Sequence, residues 1–148
     1  MDTGPLWATF DRADRDHATC VQLLAQARGA RIVPAPVLVE FDHLAARGTD
    51  RGAVDALLDE IEQGTYVVEE LLGSDYRRVR ELLDTYSDLR VGFVDAAVLA
   101  IVERLRETKL ATLDHRHFSV MRPRHVDALE LLPQLRSNTV VGASISSV

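Results

Sequence analysis

Apolar residues recur along this chain at two spacings, one helical and one extended. Val54, Leu57, Leu58 and Ile61 fall at i, i+3, i+4 and i+7, which predicts an amphipathic helix over 50–63. Ala18, Val21, Leu24 and Ala25 give the apolar face of a helix over 14–28. A further helix, which Ser74 can cap, would bury a stripe of Tyr76, Val79, Leu83 and Tyr86. Residues 93–106 are apolar on nearly every side until Glu103, the pattern of a helix enclosed by neighbours. Between these blocks stand short β-prone runs at 31–33, 66–69, 109–113 and 128–132. Pro34-Ala35-Pro36 opens another helix reaching about Arg47, and Thr3-Gly4-Pro5 reads as a turn leading into a helix. Gly29, Gly48, Gly64 and Gly73 stand where helices would stop.

Helices alternating with short strands predict an α/β fold of three layers, a central parallel sheet flanked by helices. One domain over 1–133 accounts for the pattern. Residues 134–148, rich in serine and small side chains, read as a flexible tail. At 148 residues the chain can bury a continuous core without disulfide or metal staples. Its single cysteine, Cys20, sits in a helical pattern near Val21 and Leu24 and reads as a small core hydrophobe. This cysteine usage fits a reducing compartment, so a cytoplasmic location is expected.

The formal net charge is −6, unevenly spread: residues 1–73 carry 6 basic and 13 acidic side chains, residues 74–148 carry 11 and 10. Phosphate contacts supply most non-specific affinity for nucleic acid, so an acidic chain that binds one needs a local basic patch or a bound metal.

The informative residues are carboxylates in apolar surroundings. Asp95 is the only charge in Val91-Gly92-Phe93-Val94-Asp95-Ala96-Ala97-Val98-Leu99; it either answers the positive end of a helix macrodipole or meets a cation. Glu40 interrupts Val37-Leu38-Val39-Glu40-Phe41, where it either joins a polar stripe with His43 and Arg47 or faces a site. Asp114 follows the 109–113 strand, and ligand sites of open parallel sheets gather outside the carboxyl ends of strands. Asp2 has the same position if a strand belongs before it. Four converging carboxylates suit Mg²⁺ or Mn²⁺, hard cations that prefer oxygen ligands. Zinc chemistry fits less well, because His115 and His117 are two apart and nothing completes a tetrahedral set. Arg116, His117, Arg122 and Arg124 follow Asp114 closely and can either border a cleft and hold phosphates or serve as solvated charge.

Asp2-Thr3-Gly4-Pro5-Leu6, Pro34-Ala35-Pro36-Val37-Leu38-Val39-Glu40-Phe41, the segment around Asp95, and Leu113-Asp114-His115-Arg116-His117-Phe118 resemble, in order and spacing, the motifs of PIN-domain proteins of the VapC toxin family. The resemblance covers residues 2 to about 133. It implies a Mg²⁺- or Mn²⁺-dependent endoribonuclease, the toxin of a type II toxin–antitoxin pair, cleaving structured RNA such as tRNA or rRNA with a metal-activated water. Asp2, Glu40, Asp95 and Asp114 then match the acidic cluster, and Thr3 the polar residue beside its first member. It also implies a VapB-like antitoxin and a homodimer. Against this pattern, the family carries an apolar central strand before the first aspartate, and Met1 alone stands there. The expectation is a PIN-like domain lacking that strand, with Met1 its last residue and the start internal to a longer frame. The rivals are an impaired module that binds antitoxin or RNA without cleavage, and a tail segment at 139–145 filling the vacated slot.

Overall fold

The structure, a computed structural model, describes residues 1–48 and 52–134. Its first element is α1 (Thr3–Phe10), so the segment expected to be a turn is already helical. Asp2 makes this possible by capping the helix, its side chain accepting from the Thr3 N–H. Pro5 sits in the first turn, where backbone N–H groups lack intrahelical acceptors and proline costs little. There follow α2 (His17–Gln26), β1 (Arg31–Pro34), α3 (Ala35–Arg47), α4 (Gly52–Glu62) and β2 (Tyr66–Glu69). Then come α5 (Gly73–Thr85), a 3-10 turn (Ser87–Leu89), α6 (Phe93–Leu105), β3 (Lys109–Ala111), α7 (His115–Phe118) and β4 (Glu130–Leu132). The expected tail strand at 139–145 and nearly all of the expected tail fall outside the described residues.

The strands form two parallel pairs. β1 lies beside β2 with Ile32 opposite Val67, and β3 beside β4 with Leu110 opposite Leu131. Met1 and Asp2 bridge the pairs: the Met1 amine donates to the Ile32 carbonyl at 2.8 Å, and the Asp2 N–H donates to the Ala111 carbonyl at 2.9 Å. No strand among the described residues lies between β1 and β3. Beside Met1 a cleft of about 470 Å³ separates them, lined by Leu24, Ile32, Ile101, Ala111 and Leu132.

Helices α3 and α5 pack against α6, whose residues 96–102 are all buried, as their unbroken apolar run requires. Leu6, Val33, Val37, Phe41, Val98, Leu99 and Leu110 form the heart of the core. Each such side chain contributes about 1.5–3 kcal/mol on burial. Phe41 of α3 receives Trp7 and Phe10 of α1 edge-on, at centroid distances of 5.3 and 5.6 Å. Cys20 is fully buried, and burial pushes its thiol up to about 11, as befits a packing residue rather than a nucleophile.

Two helix faces differ from their sequence reading. On α2, Ala18, Val21 and Ala25 are exposed, while Cys20 and Leu24 are buried. The cause is α1, which packs against α2 and selects a different stripe. On α5, Tyr76 is exposed and the buried residues are Asp75, Val79 and Leu82. Here Arg104 of α6 draws Asp75 inward, its Nε within 2.9 and 3.2 Å of the two carboxylate oxygens, and the helix turns accordingly. Asp75, not Ser74, also secures the helix start by accepting from the Leu72 N–H.

Arg104 further donates to Glu69 at 2.8 Å and to the Glu70 carbonyl at 2.9 Å, tying the end of β2 to α5 and α6. Arg104→Met should cost about 2–3 kcal/mol, because Asp75 is left charged and buried with its cation removed, partly screened from the Arg104 side by solvent. Urea denaturation of the variant checks this.

Candidate metal centre

The carboxyl ends of β1 and β3 and the starts of α1, α6 and α7 meet at one place. Asp2 enters it from the bridge between the strand pairs. Its Oδ1 accepts from the Thr3 N–H at 2.8 Å and its Oδ2 from Thr112 Oγ1 at 2.7 Å. It is only 6% exposed, and burial pushes its carboxyl up to about 6, against the pull of those two hydrogen bonds and with a further push from the Asp95 charge. Gly4 lets α1 approach this closely: a Cβ there would lie 3.2 Å from Leu113 Cβ.

Glu40 projects from α3 at the exposed rim, where its Oε2 accepts from Thr3 Oγ1 at 2.7 Å. Asp95, in the first turn of α6, accepts from the Gly92 N–H at 3.1 Å, which answers the helix-end reading, and its carboxylate also lies 3.7 Å from His117 Nδ1. Burial raises its pKa, and the Asp114 and Glu40 charges raise it further, while the Gly92 bond and His117 oppose. Asp114 caps α7 through Oδ1, which accepts from the His117 N–H at 3.0 Å. Its own N–H donates to Thr112 Oγ1 at 3.0 Å. Thr112, fully buried, thus accepts from Asp114 and donates to Asp2, holding two of the acids in fixed relation.

Asp2, Glu40, Asp95 and Asp114 therefore share one region, with Thr3 bonded to two of them through its N–H and its hydroxyl. Thr112 joins them although its sequence gave it no prominence; the only signal was a hydroxyl in the last positions of an apolar strand. The four basic residues part company. Arg116 is exposed, Arg122 donates to the Ser119 carbonyl at 3.0 Å, and Arg124 is paired with Glu81 on α5. His117 turns inward instead: its Nδ1 lies 2.8 Å from Asp114 Oδ2 and 3.7 Å from Asp95 Oδ2. Asp95, Asp114 and His117 offer ligand atoms all within 4.8 Å of one another. The signal for His117 was its i+3 spacing from Asp114, which one helical turn converts into proximity.

This donor set fits a divalent cation. Carboxylate oxygens predominate, the group is partly open to water, and a cation would offset both the burial that chiefly raises Asp2 and Asp95 and the charge repulsion that adds to it.

A family model described as the PIN domain matches residues 1–123. Ribonuclease VapC26 of Mycobacterium tuberculosis is 32% identical over 123 residues, 83% of this chain and 91% of that protein. The crystal structure of VapC20 from the same organism, a sarcin-ricin loop cleaving toxin, superposes with a TM-score of 0.66 at 23% identity, over 73% of this chain and 83% of that one, a likeness of fold.

The raised pKa of Asp2 sets the sign of a pH effect. Between its unfolded value of 3.8 and about 6 in the fold, the native state holds a proton that the unfolded chain releases. Stability of the metal-free protein should therefore fall as pH rises through that window, in denaturant titrations at a series of pH values. Thr112→Val, which removes the hydroxyl between Asp2 and Asp114, should cost about 1–2 kcal/mol at pH 7 and extend the decline to higher pH, since Asp2 loses a bond that favours its charged form.

Proposed function

The chain belongs to the PIN-domain family, and from that premise we propose that it is a VapC-type, divalent-cation-dependent endoribonuclease, the toxin half of a toxin–antitoxin pair. The observation that supports this reading is the convergence of Asp2, Glu40, Asp95 and Asp114 at the strand ends, close enough for Asp95 to feel both Asp114 and Glu40. A bound Mg²⁺ or Mn²⁺ supplies an acidified water and neutralises charge developing on the scissile phosphate.

The protein's own groups hold and shape the site. Asp95 and Asp114 present carboxylate oxygens to the cation, and Glu40 at the rim stands on the solvent side, where the reacting water and phosphate enter. Asp2, the most buried of the four, supplies charge from beneath, with Thr3 and Thr112 fixing its two oxygens. Arg116 in α7 and Arg122 just after it are exposed, and in this reading they bind flanking phosphates. Arg124 is committed to Glu81 and contributes less.

The substrate in this reading is structured RNA, a tRNA or an rRNA loop. The partner is a VapB-like antitoxin that can present a cationic side chain to the carboxylates in place of the metal. The family resemblance supports a homodimer and a cytoplasmic location; among the described residues no helix is long and apolar enough to cross a membrane.

Labelled tRNA and a sarcin-ricin loop oligonucleotide, incubated with the protein and Mg²⁺ or Mn²⁺, should be cut, and EDTA should stop the reaction. Asp95→Asn should lower cleavage by more than roughly 100-fold. Asparagine can still accept from the Gly92 N–H, so the metal-free variant should melt no lower than wild type by calorimetry, having lost one of the repelling charges. Cation-independent behaviour, with RNA bound and uncut, would instead support the non-cleaving module.

A further inference from the structure

One nitrogen faces the centre beside the carboxylates, His117 Nδ1. His117 Nδ1 is buried, 2.8 Å from Asp114 Oδ2 and 3.7 Å from Asp95 Oδ2, with a hydrogen bond to neither. The opposite nitrogen is fully engaged: Nε2 lies 3.0 Å from the Leu89 carbonyl, at the end of the 3-10 turn before α6. A carbonyl can only accept, so Nε2 carries a hydrogen and Nδ1 is the nitrogen left to face Asp114 and Asp95. Two carboxylates converge on this nitrogen, and Asp95, Asp114 and His117 offer ligand atoms within 4.8 Å of one another, a spacing one cation can span. A histidine whose far nitrogen donates to a backbone carbonyl is also the usual arrangement for a metal-binding imidazole.

We propose that His117 ligates the divalent cation through Nδ1, beside Asp95 and Asp114, with the Leu89 carbonyl holding the ring in that tautomer and orientation. The proposal rests on the cation-dependent reading above and narrows it. A nitrogen donor among oxygens moves the site's preference from Mg²⁺ toward Mn²⁺, since imidazole suits transition metals and Mg²⁺ favours carboxylate, carbonyl and water. It also gives Leu89 a function: the 3-10 turn sets the position of a ligand it does not itself contain.

A purely structural role for His117, tethering α7 to the turn, predicts something different, and His117→Gln separates the two. The glutamine amide reaches the Nε2 position and can donate to Leu89, but places no donor atom where Nδ1 stands. In the full chain stripped of metal and reloaded with Mn²⁺, electron spin-echo modulation should show a directly bound imidazole nitrogen. In His117→Gln that modulation should vanish and Mn²⁺ affinity should fall about 10-fold or more, with the melting temperature of the metal-free protein unchanged and Mg²⁺ affinity reduced less. Asp95→Asn serves as the control. Mn²⁺ binding that Asp95→Asn abolishes but that shows no nitrogen coupling, or that His117→Gln leaves unaltered, overturns the assignment of His117 and leaves the cation-dependent reading standing. Absence of any Mn²⁺ binding sensitive to Asp95→Asn overturns that reading itself. Should His117→Gln fail to fold, the modulation of the wild-type protein decides alone.

Discussion

Like charges held close together are the constraint around which this molecule is arranged. Asp2, Asp95, Asp114 and Glu40 repel one another, and burial compounds the cost for Asp2 and Asp95. The fold offsets this locally with backbone. Asp2 and Asp114 cap α1 and α7, and Asp95 lies in the first turn of α6, so the positive ends of three helices point toward one spot. Hydroxyls from Thr3 and Thr112 complete the set without adding charge. The chain thus tolerates a concentration of negative charge using dipoles, leaving positive charge to be supplied from outside.

The larger stabilising contributions lie elsewhere. Behind the site, α6 carries ion pairs on its far end: Arg104 with Asp75 and Glu69, and Glu103 with Arg78, whose guanidinium makes two 2.8 Å bonds to it. Arg78 and Arg124 both reach Glu81, so α5, α6 and the segment after α7 are laced together. Geometry of this kind, with bidentate arginines half-shielded from water, is where ion pairs contribute measurably. Together with the apolar surround of residues 96–102, it makes α6 the rigid element on which Asp95 is mounted.

Much of this was legible in the residues. The 66–69 strand coincides with β2, the enclosed helix at 93–106 with α6, and the four acids stand out because charge inside an apolar run demands a reason. What escaped depended on partners distant in sequence. The buried stripe of α5 shifts because Arg104, 29 residues away, captures Asp75. The face of α2 is chosen by α1, a helix the sequence does predict but whose start at Thr3 depends on Asp2 as its cap. Thr112 carries no pattern of its own, and His117 stood out only as a phosphate-binding candidate; their place among the acids comes from the carboxylates folded against them.

Asp2 belongs to two structures at once, as the first cap of α1 and as the deepest member of the acid cluster. Whatever neutralises the cluster therefore also strengthens the junction between α1, β3 and the Met1 bridge. A ligand that binds only the native chain stabilises it by mass action, in proportion to the logarithm of its concentration over its dissociation constant. Loaded and empty molecules then differ in how often they open and expose backbone to proteases. In the proposed function, occupancy of the centre is then a determinant of the protein's lifetime, and the species left standing after proteolytic turnover is enriched in molecules with the site filled.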